Sequence, residues 1–152
     1  MPSLTRIYET ILYAADINAA TSFYVKVLGL RLVKEPVPHA AVLRMPDGGV
    51  LIIFNPAESR LPGRDIPSHG YALDGKNGMA CGHIALSMAR GERAAWLARL
   101  AEHGVAIEHE QVWEPGGTSI YIRDPAGNSV ELVDGEVWEM GFGDAKRNAA
   151  AR

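Results

Sequence analysis

Glu131 places a carboxylate in the middle of a segment that is otherwise typical of a buried β-strand. Residues 119–132 contain a β-branched and aromatic run, an Asp-Pro-Ala-Gly-Asn turn and a second apolar run, which predicts strand, turn and strand. Alternation along the second strand puts Glu131 on one face and Val130 and Leu132 on the other. A buried carboxylate is costly unless it is hydrogen-bonded, paired with a cation or bound to a metal, so Glu131 needs a partner.

A repeat in the sequence relates Glu131 to two further residues with side chains that can bind a metal, Glu9 and His83. The order strand, helix and three strands occurs twice with a period of roughly 75–80 residues, which is too long for a solenoid and indicates two paired modules. Aligning the halves pairs Glu9 with His83 on the first strands and Ile52 with Glu131 on the last strands. If the modules pack about a pseudo-twofold axis, all four side chains point into one cleft.

Glu9, His83 and Glu131 together form a donor set that suits a divalent ion. Two carboxylates and an imidazole bind hard or borderline ions such as Mn, Fe, Ni, Co or Zn and leave positions for water or substrate. Each residue also has a plainer interpretation: Glu9 as a solvated strand residue, His83 as a hydrogen-bonded core histidine, and Glu131 as the buried partner of an arginine. The ligands lie far apart in the sequence, so their spacing alone does not decide between these interpretations.

The elements that carry these residues follow from the periodicity of apolar residues. In the first module a strand at 9–15 precedes a helix at about 19–28, which Asp16 or Asn18 can cap and Gly29 can end. The other predicted elements are strands at 30–34, 40–45 and 50–55 in the first module, and in the second a strand at 82–88, a helix at 92–103, a strand at 105–110 and two strands around Asp124-Pro125.

These elements predict one α+β domain over residues 1–152. Module one covers about 5–55, a linker rich in proline and glycine covers 56–80, module two covers about 81–135, and a C-terminal tail covers 136–152. His69 lies in the linker, where it is a candidate general base or extra ligand if the linker reaches the cleft. Otherwise it is a turn residue in solvent.

Composition excludes several classes of function. With 47% hydrophobic and 22% charged residues the chain is globular rather than disordered. Its net charge of -3 and scattered Lys and Arg provide no basic stripe for nucleic acid. Cys81 is the single cysteine, so no disulfide framework forms within the chain, and no apolar run approaches the ~20 residues that span a bilayer. We therefore expect a cytoplasmic protein without a nucleic-acid or membrane partner.

Three segments carry a resemblance to a known family. They are Asp16 followed by Ala-Thr-Ser-Phe-Tyr-Val-Lys-Val-Leu-Gly-Leu at 20–30, Gly-His-Ile-Ala-Leu at 82–86, and Asp-Pro-Ala-Gly-Asn-Ser-Val-Glu-Leu at 124–132. In this order they resemble the vicinal oxygen chelate superfamily, which includes glyoxalase I, bleomycin-resistance proteins, fosfomycin-resistance enzymes and extradiol dioxygenases. The resemblance implies two βαβββ modules that form a glyoxalase-like open barrel with mixed sheets.

The resemblance also implies roles for the donor set. His83 falls on the ligand histidine of the second module, and Glu131 falls on the final ligand glutamate. Glu9 departs from the histidine that members usually have on the first strand, although glutamate also binds metal. Ile52 lies where glyoxalase I takes a fourth ligand, so the resemblance implies a three-ligand site. It further implies a homodimer in which the first-strand ligand comes from one chain and the other two come from its partner.

The segment 113–123 resembles a strand of fosfomycin-resistance enzymes that carries anion-binding hydroxyls. Ser119 and Tyr121 are thus candidates for binding a substrate oxyanion, Arg123 for supplying charge, and Trp113 for lining the pocket. Tyr121, Glu131 and His69 are the catalytic candidates.

The implied function is that of a small divalent-metal-dependent enzyme. The metal acts as a Lewis acid on a small oxygen-bearing substrate, in lyase, isomerase, epoxide-opening or dioxygenase chemistry. The alternative is a metal-free, bleomycin-resistance-like protein that binds a planar or hydrophobic small molecule.

Overall fold

The structure is a computed structural model that describes residues 4, 6–59, 82–114 and 116–137. Strand, helix and three strands occur twice in this order, with a short helix between the two sets, which confirms the α+β class and the βαβββ modules. The elements are β1 (Glu9–Tyr13), α1 (Ile17–Ser22, continued by a π-helical turn at Phe23–Val27), β2 (Arg31–Leu32), β3 (Ala40–Arg44), β4 (Val50–Phe54), α2 (Pro56–Ser59), β5 (His83–Ser87), α3 (Arg93–Glu102), β6 (Ile107–Val112), β7 (Thr118–Arg123) and β8 (Ser129–Asp134).

The chain divides into two compact units that do not follow the repeat completely. The first unit comprises the residues up to His83 together with Asp124–Ser129, and the second comprises Ile84–Arg123 and the residues from Val130 onward. The turn between β7 and β8 therefore belongs to the first unit. Both sheets have four strands, in the corresponding orders β1-β4-β3-β2 and β5-β8-β7-β6.

The first sheet is mixed. Its strand β4 pairs in parallel with β1 and antiparallel with β3, which pairs antiparallel with β2. Leu12, Leu51 and Ile53 are buried. On the opposite face the cross-strand neighbours Ile11, Ile52 and Val42 are half-buried. The sheet thus has a buried core face and a second apolar face that is partly open.

Helix α1 begins at Ile17, two residues before the predicted start. Asp16 is its N-cap and accepts a hydrogen bond from the backbone N–H of Ala19 at 2.9 Å. The helix ends in a π-helical turn in which the Leu28 N–H donates to Phe23 O at 3.3 Å, and Gly29 follows with φ 75°, as its position predicted.

The segment predicted as a linker begins with the short helix α2, which its proline and glycine content did not predict. The rest of the linker, including His69, lies outside the described residues, as do Cys81 and the chain beyond residue 137. Within the part that is described, no helix has the length and apolar character needed to cross a membrane.

The second module differs from prediction mainly at β6. This strand begins at Ile107 and continues to Val112, and its pairing with β7 is irregular between Ile107 and His109. Beyond that irregularity His109 lies opposite Tyr121, and Gln111 lies opposite Ser119. These four residues share one face of the sheet because side chains alternate along paired strands.

A cluster of buried polar side chains, Tyr24, Asp124 and Asn128, organises the first unit; we call it the Asp124 cluster. Asp124 Oδ1 accepts from the N–H groups of Ala126 and Asn128, both at 2.9 Å. Its Oδ2 accepts from the Tyr24 hydroxyl at 3.0 Å and from Asn128 Nδ2 at 2.8 Å. The carboxylate is therefore fully hydrogen-bonded, as burial requires.

Asn128 connects this cluster to two backbone segments. Its side chain is 1% exposed, donates to Tyr13 O at 3.0 Å and accepts from the Gly82 N–H at 2.8 Å. The end of β1, the residue before β5 and the π-helical turn thus contact the turn at 124–128 through three side chains.

Tyr24 is buried beside a carboxylate, and both conditions disfavour its ionised form. Burial raises the pKa of the Tyr24 hydroxyl far above its ordinary value of 10.0, and the charge of Asp124 and the hydrogen bond to it raise the pKa further. The folded protein therefore keeps a proton that the unfolded chain loses near pH 10. The resulting stability is complete below pH 10 and is lost as the pH rises above it.

We predict that Tyr24→Phe lowers the free energy of unfolding by about 1–2 kcal/mol at pH 7, because Asp124 loses a hydrogen-bond donor. The same variant should lose stability less steeply above pH 10 than the wild type, by at most about 1.4 kcal/mol per pH unit. Urea unfolding at several pH values between 7 and 11 measures both effects. Tyr8→Phe is the matched control because Tyr8 is 66% exposed; equal pH profiles for Tyr24→Phe and the wild type would contradict the prediction.

Candidate functional site

Glu131 lies on β8 in the second unit, and the residues around it supply hydroxyl groups. Its side chain is 7% exposed, and the Ser119 hydroxyl donates to Glu131 Oε1 at 2.5 Å. The Tyr121 hydroxyl also hydrogen-bonds to the Glu131 carboxylate. The partner that the sequence required for this buried carboxylate is therefore a pair of hydroxyl donors on the neighbouring strand.

Strand alternation explains why these two hydroxyls meet Glu131. Strands β7 and β8 are neighbours in the sheet, and Ser119 and Tyr121 lie two residues apart on the same face of β7. Ile120 and Ile122 lie on the opposite face and are fully buried. The core thus fixes the register of β7, and the register presents both hydroxyls on one side.

Trp113 completes the group from the loop before β7. Its indole Nε1–H donates to Ser119 Oγ at 2.8 Å. The loop is held by two backbone hydrogen bonds, from Gly116 N to Trp113 O at 2.7 Å and from Trp113 N to Gly117 O at 2.8 Å, and Gly116 has φ 113°. A glycine suits this conformation because φ in that region is strained for other residues. We call Trp113, Ser119, Tyr121 and Glu131 the Glu131 cluster.

The phenol of Tyr121 stays protonated at neutral pH. Its partial burial, and then the hydrogen bond to Glu131 and the charge of that carboxylate, raise the pKa of Tyr121 above 10.0, while a hydrogen bond with Ser119 opposes the shift. The ring of His109 lies 6.0 Å from the ring of Tyr121 at an angle of 43°. Tyr121 is thus a proton-bearing group between a carboxylate and an imidazole.

Arg123 has a different environment from the other candidates on β7. Its Nε and Nη2 atoms donate to Glu108 Oε2 and Oε1 at 2.7 and 2.9 Å, which is a bidentate ion pair on an exposed part of the sheet. Arg44, at the corresponding end of β3 in the first module, instead donates to Gly48 O in the turn after β3, at 3.0 Å. The two arginines therefore have different partners.

The other two candidate ligands, Glu9 and His83, belong to the first unit. Glu9 is exposed at the start of β1, where it lies opposite Val50. Ile52 lies opposite Ile11, on the partly open apolar face. His83 is exposed at the start of β5, and its Nδ1 lies 3.2 Å from Ser129 Oγ.

Within the described residues no group of three or more histidine, cysteine, aspartate or glutamate side chains lies close enough together to hold a metal ion. The chemistry of the individual donors nevertheless suits a cation. Glu131 is a buried carboxylate that accepts a hydrogen bond from the Ser119 hydroxyl. His83 has one ring nitrogen within hydrogen-bond distance of a hydroxyl, and metal-binding histidines commonly have their second nitrogen held by a hydrogen bond.

A family model described as the Glyoxalase/Bleomycin resistance protein/Dioxygenase superfamily matches residues 6–132. The chain belongs to this superfamily. The match covers both modules and confirms the family to which the three sequence segments point.

Individual relatives within the superfamily differ in the activity that their names give. The chain is 25% identical over 142 residues to a lactoylglutathione lyase of Escherichia coli O157:H7, with 91% of this chain and 99% of the relative covered. It is 30% identical over 120 residues to a catechol-2,3-dioxygenase of Bacillus subtilis (strain 168), with 77% of this chain but 37% of the relative covered.

Among solved structures, a lactoylglutathione lyase from Agrobacterium tumefaciens is similar to this chain along nearly its whole length. The TM-score is 0.78 and the sequence identity 33%, and the alignment covers 91% of this chain and all of the relative. A superfamily protein from Nocardioides has a TM-score of 0.68 at 21% identity and shows the same fold.

Sequence patterns did not reveal that His109 lies beside Tyr121. Its side chain is exposed and lies within β6, on the same face as the Glu131 cluster. Alternation from Tyr121 could have placed it there, although the irregularity near Ile107 obscures the register.

The effect of Arg123 on the pKa of Glu108 can be tested by substitution. The hydrogen bond from Arg123, together with its charge, holds the pKa of the Glu108 carboxyl below its usual value of 4.5. We predict that Arg123→Gln returns this pKa to its ordinary range without a measurable change in the urea midpoint at pH 7, since the pair is exposed. Carboxyl-carbon NMR titration measures the pKa, and Arg31→Gln is the control. A Glu108 pKa that stays low in Arg123→Gln would contradict the assignment.

Proposed function

We propose that the chain is a divalent-metal-dependent enzyme of the vicinal oxygen chelate type that acts on a small oxygen-bearing substrate. Glu9, His83 and Glu131 are the proposed ligands. The observation that carries the proposal is the environment of Glu131, a buried carboxylate whose named donors are the hydroxyls of Ser119 and Tyr121.

Hydroxyl donors orient a carboxylate without neutralising it. Hydrogen bonds from Ser119 and Tyr121 lower the cost of burying the Glu131 carboxylate and hold it in one orientation. This supports a ligand role for Glu131.

The environment of His83 supports the same role. A histidine that binds metal through one ring nitrogen usually has its other nitrogen held by a hydrogen bond, which fixes the orientation of the ring. Ser129 Oγ lies 3.2 Å from His83 Nδ1, so we propose Nε2 as the atom that binds metal.

The bound ion would supply Lewis-acid polarisation of two substrate oxygens. The chain's own residues do the remaining work. Tyr121 retains its proton at neutral pH, because both burial and Glu131 disfavour its ionisation. Its O–H donates to Glu131, and its hydroxyl oxygen accepts a hydrogen bond from a substrate hydroxyl.

The comparisons favour lyase or isomerase chemistry over dioxygenase chemistry. The two lactoylglutathione lyases align with this chain along 99% and 100% of their own lengths, whereas the catechol dioxygenase aligns along 37%. We therefore propose a thioester- or hydroxycarbonyl-type substrate similar to lactoylglutathione. Ile52 provides no fourth ligand, so we propose a three-ligand site in a homodimer, with Glu9 from one chain and His83 and Glu131 from its partner.

The apolar face of the first sheet favours a second candidate function. Ile11, Ile52 and Val42 form a continuous half-buried surface that fits a planar or hydrophobic ligand without any metal. A metal-free binding protein would keep its affinity for such a ligand in the presence of a chelator.

We predict that the purified protein binds a divalent ion from a panel of Mn²⁺, Co²⁺, Ni²⁺ and Zn²⁺, and that His83→Gln and Glu131→Gln each weaken binding by at least roughly 100-fold. Isothermal titration calorimetry measures the affinity. Glu108→Gln is the matched control, because it removes a carboxylate that pairs with Arg123 in the same sheet.

The metal-loaded protein should also form or consume lactoylglutathione, and this activity should disappear in Glu131→Gln. A wild-type protein that binds none of the four ions, or a Glu131→Gln variant with unchanged affinity, would overturn the metal proposal. Chelator-resistant binding of a planar aromatic ligand would then support the second candidate.

A further inference from the structure

Within the Glu131 cluster, three side chains form a hydrogen-bonded chain with one direction. The Trp113 indole donates to Ser119 Oγ at 2.8 Å, and Ser119 Oγ donates to Glu131 Oε1 at 2.5 Å. Ser119 is fully buried and Glu131 is 7% exposed, so water does not compete freely for these contacts. All three residues lie in the second unit.

The Trp113 indole, the first donor in this series of hydrogen bonds, determines which groups donate and which accept. An indole N–H can only donate, so the Ser119 oxygen must accept from Trp113. A serine hydroxyl has one proton and a carboxylate can only accept, so the Ser119 proton lies in the hydrogen bond to Glu131 Oε1. Trp113 thereby fixes the rotation of the Ser119 hydroxyl, and Ser119 fixes the carboxylate plane of Glu131.

Backbone hydrogen bonds hold Trp113, the first donor of this hydrogen-bonded series, in place. The Trp113 carbonyl accepts from Gly116 N at 2.7 Å, and its N–H donates to Gly117 O at 2.8 Å, so both backbone polar groups are held by the loop before β7. The indole therefore reaches Ser119, six residues further along the chain, from a fixed backbone position.

We propose that Trp113 and Ser119 are positioning residues that hold Glu131 in its metal-binding orientation. This inference rests on the proposed function, in which Glu131 is a metal ligand. Removing a residue that hydrogen-bonds to a metal ligand typically weakens metal binding by roughly 10–100-fold. The hydroxyl of Ser119 then acts on the carboxylate, and contact with the substrate is left to Tyr121.

The test is a double-mutant cycle with Zn²⁺ affinity as its readout. Trp113→Phe and Ser119→Ala should each weaken Zn²⁺ binding by roughly 10–100-fold. Trp113 acts through Ser119, so adding Trp113→Phe to Ser119→Ala should cause no further loss. Thr118→Val and Trp96→Phe are the matched controls, because they remove a hydroxyl and an indole outside the cluster and should leave the affinity unchanged.

A second readout distinguishes positioning from general destabilisation. The indole Hε1 resonance of Trp113, assigned by its absence in Trp113→Phe, should shift on addition of Zn²⁺ to the wild type. The shift should disappear in Ser119→Ala, because the connection from the carboxylate to the indole is cut. If Ser119→Ala does not fold, Trp113→Phe carries the affinity test, and Ser119→Thr, which keeps the hydroxyl, should keep both the Zn²⁺ affinity and the indole shift.

The outcomes separate this inference from the proposed function. If the wild type binds no Zn²⁺ or other ion of the panel, the proposed function fails and the positioning role fails with it. If the wild type binds Zn²⁺ and Glu131→Gln does not, but Trp113→Phe and Ser119→Ala bind like the wild type, only the positioning role is overturned. Additive losses in the double variant would also overturn it.

Discussion

The hydrogen bonding of Asp124 is the constraint on which the first unit depends. Its carboxylate is 4% exposed and accepts from two backbone N–H groups, the Tyr24 hydroxyl and the Asn128 amide. An isolated charge at such a position would cost several kcal/mol, so these donors have to be in place together. They come from a helix near the start of the chain and a turn near its end, and the fold of the first unit must bring them together.

The cluster also determines the surroundings of His83. Asn128 accepts from the N–H of Gly82, directly before His83, and Ser129, directly after Asn128, contacts the imidazole. A Cβ atom added to Gly82 would lie 2.7 Å from Leu12 Cδ2, so a larger residue at position 82 would require the buried Leu12 side chain to shift. The Asp124 cluster is thus connected to the candidate ligand His83 in two ways. Asn128 of the cluster bonds to Gly82, the residue before His83, and Ser129, the residue after Asn128, contacts His83 itself.

Among the residues that the structure describes, Asp124 and Glu131 are the buried carboxylates, and their burial is stabilised in different ways. Asp124 is enclosed by amide and hydroxyl donors that occupy both of its oxygens, and it stabilises a turn. Glu131 interacts with hydroxyls on one neighbouring strand and lies on a sheet face that also carries His109 and Tyr121. The donors that surround each carboxylate, and not burial itself, distinguish a structural residue from a candidate ligand.

Periodicity predicted the modules and most strands within two residues, because alternating and helical apolar patterns reflect burial directly. It could not predict which polar groups meet. The position of Tyr24 on its helix does not indicate that its hydroxyl bonds to a residue 100 positions away. The position of Arg123 on β7 likewise does not indicate that its partner, Glu108, lies on β6. Such contacts depend on register and side-chain reach, and neither is encoded in local spacing.

The claim that Glu131 is a metal ligand can be tested most directly by anomalous diffraction from crystals grown with Zn²⁺. We predict an anomalous peak at about 2.0–2.2 Å from a carboxylate oxygen of Glu131 and from a ring nitrogen of His83. Zn²⁺ peaks found only at other residues, with Glu131 bonded only to Ser119 and Tyr121, would contradict the claim.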